Sequence, residues 1–254
     1  MCTGLCRAIT DDSSRRPNHV HAMQPFGYTP FFLKTGRIPV RILPINPNSS
    51  RVVTDLMDRN VERLRAGGAH CIDCRTLAEG PPGIETQFDI DSVVAPLCRV
   101  IAAESDKTDA FVIGCFAGPG LYSAREMTDK PVLGICEAGI ATALNMGERF
   151  GVISTATQSR NAELRLIRSC GYLHRGVGLE PIDMPVASIP TAADADDRAM
   201  DAGARLKRQG ADVLDLGCAG MARHRTAVQA RLGLPVIDPS VAAVAMAMGI
   251  VALG

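Results

Sequence analysis

Two cysteines stand in matching surroundings. FVIGCFAGPG (111–120) carries Cys115 where an apolar run meets a glycine-rich turn, and VLDLGCAGM (213–221) carries Cys218 in the same way, 103 positions later. A cysteine between a strand end and a helix start has backbone N–H groups and the positive end of a helix dipole nearby, and both favour thiolate. Gly114, Gly118 and Gly120, with Gly217 and Gly220, let the backbone approach a ligand closely. Backbone donors there suit a small anion or an enolate. Two thiols facing one carbon can take a proton from one side and return it on the other, which is the chemistry of racemisation or epimerisation. The residues alone leave a second reading open, since free cysteine is among the most buried residue types and many serve only as small core groups.

Such thiols need elements to hold them. VRILPIN (40–46) reads as a strand, and SSRVVTDLMDRNVERL (49–64) as a helix with Val53, Leu56, Met57, Val61 and Leu64 on one face and Ser49 or Ser50 as its cap. Similar patterns predict strands near 69–74, 109–115, 131–135, 150–154, 211–217 and 235–237, with helices between them. Strands alternating with helices imply parallel pairing in an α/β layered fold.

The segment DAFVIGCFAGPGLYSAREMTDKPVLGICEAGIATAL (109–144) lies on ADVLDLGCAGMARHRTAVQARLGLPVIDPSVAAVAM (211–246) as an internal repeat. Each runs strand, Gly-Cys, glycine turn, helix, Pro-Val strand, alanine-rich helix; Pro131 follows Cys115 by 16 positions and Pro235 follows Cys218 by 17. VRILPINPNSSR (40–51) matches RFGVISTATQSR (149–160) more weakly, at an offset of 109. The reading is a weakly ordered N-terminal extension (1–36) and two pseudo-symmetric α/β halves, 37–148 with Cys115 and 149–254 with Cys218. The return helix after 131–135 is free to pack on the other half. Ligands of open parallel sheets sit beyond the carboxyl ends of the strands, so an approximate twofold would set the two thiols on opposite walls of one cleft.

Other residues are weighed against this frame. Asn46, Asn48 and Ser49 end the first strand and should face the cleft, where Asn, Pro and Ser also do ordinary turn work. Ser154, Thr155 and Thr157 are their counterparts in the second half. Glu137 opens the return helix, either as a favourable first-turn acid or as a group that tunes a thiol. Cys71, Cys98, Cys136 and Cys170 read as buried core thiols, Cys2 and Cys6 as tail residues. CIDC (71–74) lies on a predicted strand, where its two side chains point to opposite faces, so no metal site is expected there. His19, His21, His70, His174 and His224 form no metal motif, and His224 reads as an exposed helix residue. GCFAGPG is no dinucleotide fingerprint.

The 254 residues are 46% hydrophobic and 21% charged, with 27 basic and 27 acidic residues. Zero net charge gives no reason to expect nucleic acid or an anionic membrane, and no apolar run nears the roughly 20 residues of a membrane helix. The expected partner is a small molecule, and a homo-oligomer is compatible with the composition. Nine cysteines without an export signal point to reduced thiols and a cytoplasmic location.

INPNSS, GCFAGPGLYSARE, PVLGICEAG and LGCAGM followed by LGLPVID resemble the aspartate/glutamate/hydantoin racemase superfamily, on its hydantoin and allantoin racemase branch, over residues 38–254. The resemblance implies a cofactor-independent, metal-free racemase with one catalytic cysteine from each half, Cys115 and Cys218. Amino-acid racemases of the superfamily usually follow the thiol with Asn-Thr, Thr-Glu or Thr-His. Here Phe116-Ala117 and Ala219-Gly220 follow, and an apolar, backbone-lined pocket suits a neutral five-membered ring better than a zwitterion. The expectation is racemisation of a 5-substituted hydantoin or a relative such as allantoin, with Asn46, Asn48, Ser49, Ser154 and Thr155 also contacting substrate. Rival readings are amino-acid racemisation, maleate-type cis–trans isomerisation, and silent ligand binding. Gly118 stands where the branch typically has Asp, a departure that bears on substrate identity.

Overall fold

The computed structural model describes residues 40–65 and 70–253; the expected extension, residues 1–36, lies outside them. β1 (Arg41–Asn46) leads to α1 (Arg51–Val61), then to β2 (Cys71–Ile72) and β3 (Arg75–Thr76), α2 (Gln87–Ser92), α3 (Val94–Glu104), β4 (Ala110–Ile113), α4 (Leu121–Glu126), β5 (Val132–Gly134) and α5 (Ile135–Ala143). A second run follows: β6 (Phe150–Ser154), α6 (Arg160–Ser169), β7 (Gly176–Pro181), α7 (Ala195–Arg208), β8 (Val213–Leu216), α8 (Arg225–Leu232), β9 (Val236–Ile237) and α9 (Pro239–Ala252).

The strands form two separate parallel sheets. The first has the order β2-β1-β4-β5, with β3 also paired to β1; the second has the order β7-β6-β8-β9. β4 and β8 are wholly buried, as parallel strands covered by helices on both faces must be. Pro44 lacks an N–H yet sits mid-strand. It lies level with the break between β2 and β3, where the edge next to β1 is interrupted.

Three expectations are corrected. The strand expected at 69–74 is two short pieces, and Cys71, expected in the core, is exposed. The edge strand β7 was not anticipated, because GVGLEP carries only two apolar side chains and five of its six residues keep partial exposure. The helix at 49–64 is α1 plus a 3-10 turn, and although Ser50 occupies the N-cap its side chain makes no capping bond.

α5 and α9 explain how two sheets make one body. PSVAAVAMAMGIVA and ICEAGIATA carry no charge apart from Glu137, and a helix that is apolar on nearly all sides has to be covered on nearly all sides. α5 follows the first sheet but packs on β8 and β9 of the second; α9 follows the second sheet but packs on β4, β1 and β5 of the first. The two helices lie against each other between the sheets. Asp238 caps α9 by accepting from Ser240 N (3.0 Å) and Val241 N (3.2 Å), with Pro239 in the first turn.

Gly139 of α5 shows how tight this contact is: a Cβ there would stand 2.4 Å from Asp215 Oδ2 on β8 and 2.8 Å from Pro239 Cβ on α9. Gly139→Ala is therefore expected to lower unfolding free energy by about 1–3 kcal/mol through overpacking. Gly249→Ala, on the same helix pair but with nothing within 4 Å, should raise it by about 0.5–1 kcal/mol. Chemical denaturation of the two variants checks the pair; equal effects would contradict the packing.

Candidate functional site

Gly114-Cys115 follows the carboxyl end of β4, and Gly217-Cys218 that of β8, the central positions of the two sheets. Gly114 N donates to Ile45 O (2.8 Å) and Gly217 N to Ile153 O (2.7 Å), so each strand pairing continues up to its cysteine. Side chains are excluded at both glycines: a Cβ on Gly114 would meet the Met57 side chain at 2.6 Å, and one on Gly217 would meet Ile153 O at 2.9 Å. The chain then turns sharply. Gly118 N donates to Cys115 O (3.0 Å), with Gly118 and Gly120 at φ 61° and 64°, a region that disfavours side chains.

Both cysteines line one cavity of about 20 Å³ between the sheets. Phe116, Ala117, Asn48 and Thr155 line it too, as do Ser159 and Glu163, and Ile84 and Val186 lie at its wall. That volume holds about one water, and the segments that carry Ile84 and Val186 lie against each other, a Cβ on Gly83 standing 3.0 Å from Val186 Cβ. Glu85 clasps them by accepting from Val186 N (2.9 Å).

The other expected site residues divide between lining and support. Asn46 is fully buried and does not line the cavity; its Nδ2 lies 2.9 Å from Asn48 Oδ1 and 3.0 Å from both Ser50 O and Thr54 Oγ1. Asn48 Oδ1 also accepts from Ser50 N (3.0 Å), which leaves Nδ2 as the unengaged end of that amide. Ser49 ties its backbone N–H to Pro81 O (2.9 Å). Ser154 donates to Glu163 Oε2 (2.8 Å), Gly220 N donates to Cys218 Sγ (3.3 Å), and Ala219 is packed in the core. Thr157 binds Asp183. Glu137 stands apart: it is paired with Arg125 (2.6 Å) and lies beside Cys170 in a different surface cavity. His224, expected on the surface, is fully buried with Nδ1 2.5 Å from Asp196 Oδ1, because its segment forms a 3-10 turn packed between α1 of the first half and α7 and α8 of the second.

The thiols were expected to be shifted toward thiolate. The donors are present, at Ala117 and Gly118 for Cys115 and at Gly220 and Met221 for Cys218, but burial outweighs them. Cys115 is pushed up to about 12 and Cys218 to about 11, with nearby Glu163 adding to the rise in both. No Lys, Arg or His is among the lining residues to offset this. Among the described residues, no group of three or more His, Cys, Asp or Glu could hold a metal ion, and no helix is long and apolar enough to cross a membrane.

Glu163 and Ser159 were missed. Glu163 is 2% exposed, and burial pushes its carboxyl up to about 7 although Ser154 and Ser159 both bond to it (2.8 Å each). In sequence it looks like an ordinary first-turn acid of an amphipathic helix, α6. The repeat held a signal, since the 109-residue offset sets Glu163 against Thr54, the buried residue that Asn46 contacts in the first half.

Comparison with known proteins agrees with this architecture. The sequence model described as Asp/Glu/Hydantoin racemase matches residues 42–247. A hydantoin racemase of Paenarthrobacter aurescens is 33% identical over 222 residues, spanning 85% of this chain and 92% of that protein. The solved allantoin racemase from Klebsiella pneumoniae superposes with a TM-score of 0.79 at 32% identity, covering 85% of this chain and 89% of its own. Maleate isomerase from Pseudomonas putida, at 15% identity, TM-score 0.67 and coverage of 83% and 92%, shares the fold alone. With two parallel sheets, a Gly-Cys at the end of each central strand and relatives matched along most of its length, the chain belongs to the Asp/Glu/hydantoin racemase family and is an isomerase of the racemase type, on the hydantoin and allantoin racemase branch.

Proposed function

We propose that the protein racemises a 5-substituted hydantoin or a related ring amide such as allantoin, by proton transfer between Cys115 and Cys218. One observation carries this reading: both thiols line a single cavity that also contains a buried carboxyl group and no cationic side chain. A dicarboxylate or an amino acid would bring a carboxylate into a space with nothing to neutralise it, and unpaired buried charge is costly. A neutral ring amide brings N–H and C=O groups, which the cavity's polar atoms can satisfy.

In the proposed reaction one cysteine is thiolate and the other thiol. The thiolate takes the proton from the carbon between the ring carbonyl and the ring nitrogen. The C–H electron pair becomes the enolate, and its charge settles on the carbonyl oxygen. The opposite thiol then protonates that carbon on its other face and is left as thiolate, so each turnover exchanges the protonation states of the two residues. Asn48 Nδ2 and the backbone N–H groups after the cysteines are the donors suited to hold the developing oxyanion. Asn46 fixes the Asn48 amide, and Phe116, Ala117 and Thr155 complete the walls. All of these are the chain's own residues, and no proton transfer in this scheme needs a cofactor.

Cys115→Ser and Cys218→Ser should each lower racemisation of a hydantoin by at least about a thousandfold, the scale on which losing one member of a proton-transfer pair acts. Polarimetry in parallel with C–H exchange in D₂O checks this: each variant is expected to keep exchange with one enantiomer only, opposite in the two. Normal racemisation by either variant would refute the two-thiol scheme.

Cys71→Ser supplies the matched control. Cys71 is exposed and bonded to Asp73 (3.2 Å) outside the cavity, and the same polarimetric assay should show a rate within about twofold of the native enzyme, as for other surface substitutions.

A further inference from the structure

Within the cavity the scheme above leaves Glu163 unused. Its surroundings constrain where its proton sits. Ser154 Oγ donates to Oε2, while Ser159 Oγ lies 2.8 Å from Oε1 and also 2.9 Å from Ala156 O. A hydroxyl has one proton, and a carbonyl oxygen can only accept. When Ser159 donates to Ala156, its contact with Glu163 requires the proton to come from the carboxyl. The arrangement suits a neutral carboxylic acid with its proton on Oε1, directed at Ser159. Oε2 then keeps a second acceptor position beyond the Ser154 bond.

A neutral acid also fits its neighbours. The ionisable groups that face it are Cys115 on the β4–α4 turn, Cys218 at the end of β8 and the buried Cys136 of α5, with Glu85 acting on Cys218; Ser154 and Ser159 are its direct partners. A charge on Glu163 would oppose both a thiolate and an enolate. The other polar side chains that line the cavity are placed differently. Asn48 Oδ1 is already taken by Asn46 and Ser50, and Thr155 presents a hydroxyl.

We propose that Glu163, acting as a carboxylic acid, accepts the ring N–H beside the stereogenic carbon through Oε2, and so positions that carbon between the thiols and selects N–H-bearing neutral rings. The proposal rests on the ring-amide reading given above. Glu163 moves no proton to or from the ring carbon.

The test uses 5,5-dimethylhydantoin, which has no proton to lose at that carbon, and its derivative methylated on the adjacent nitrogen, titrated calorimetrically at pH 6 into native enzyme, Glu163→Gln and Glu163→Leu. Methylation is expected to weaken binding to the native protein by about tenfold, the scale of one hydrogen bond. The Leu variant should bind both rings alike at the weaker level and show a KM for racemisation raised by about tenfold. Glu163→Gln, a neutral isostere with an acceptor oxygen, should restore the preference for the unmethylated ring. The ratio of Gln-variant to native kcat/KM should rise as pH passes about 7, where the native carboxyl ionises and glutamine does not. Retained discrimination in the Leu variant, or a Gln variant as defective as Leu, would overturn the assignment while leaving the function intact. A native enzyme that neither binds these rings nor racemises any hydantoin would overturn both.

Stability separates this from a packing role. Because the folded carboxyl is raised from 4.5 to about 7, its contribution is fully present below pH 4.5 and is lost as pH rises through 7. Glu163→Gln should therefore gain stability relative to native between those values and hold a level advantage above them. A buried acid that lowers stability at neutral pH is expected where a site needs it, and a Gln variant whose stability relative to native is no greater at pH 8 than at pH 4 would count against the neutral-acid arrangement.

Discussion

The site depends on α5 and α9 lying against one another between the two sheets. Each helix leaves the sheet whose last strand precedes it and covers the other, so neither sheet has a complete core without the opposite half. The sequences permit this because both helices are apolar around nearly their whole circumference, which a helix packed on one sheet alone would not need. Gly139 allows close approach, and the buried Asp238 cap closes the start of α9. With the helices fixed, the carboxyl ends of β4 and β8 are held toward a common space, and the two Gly-Cys turns meet there.

That space is small, buried and without a cationic side chain, which has two opposing electrostatic effects. Low dielectric strengthens the interaction of backbone N–H groups with any negative charge that develops. The same burial raises the cost of making a thiolate, and here that cost exceeds the help from the backbone donors, so both thiols are shifted upward. A cavity with no cationic lining therefore favours one negative charge at a time, which in the proposed reaction passes from thiolate to enolate to the opposite thiolate. A carboxylate substrate or an ionised Glu163 would add a second charge. The neutral form of Glu163 and the neutrality of a ring amide meet the same electrostatic requirement.

Much of this was legible in the sequence. The apolar runs predict seven of the nine strands among the described residues, β3 and β7 falling outside them, and the repeat at Cys115 and Cys218 identified the two turns that share the cavity. β7 was hidden because an edge strand with one buried residue has no apolar run. Glu163 was hidden because a helical acid is a solvated residue in most proteins, and only packing against Ser154, Ser159 and the cavity makes it buried. His224 shows the converse: in a 3-10 turn rather than a regular helix, it is carried inward to Asp196. Burial of polar residues is a tertiary property, and periodicity does not report it.

Gly118 joins these strands of the argument. At φ 61° it favours glycine, and a Cβ there would lie 2.7 Å from Leu166 Cδ2. Leu166 belongs to α6, three residues after Glu163, so the turn that carries Cys115 in the first half rests directly on the helix that carries Glu163 in the second. An aspartate at this position would need both a backbone conformation that side chains rarely adopt and a displaced Leu166. The departure at 118 is thus coupled to how closely α6 approaches the thiol turn. Glycine itself offers no side chain with which to contact a ring, so under the proposed function position 118 would act through its contact with α6, the helix of Glu163.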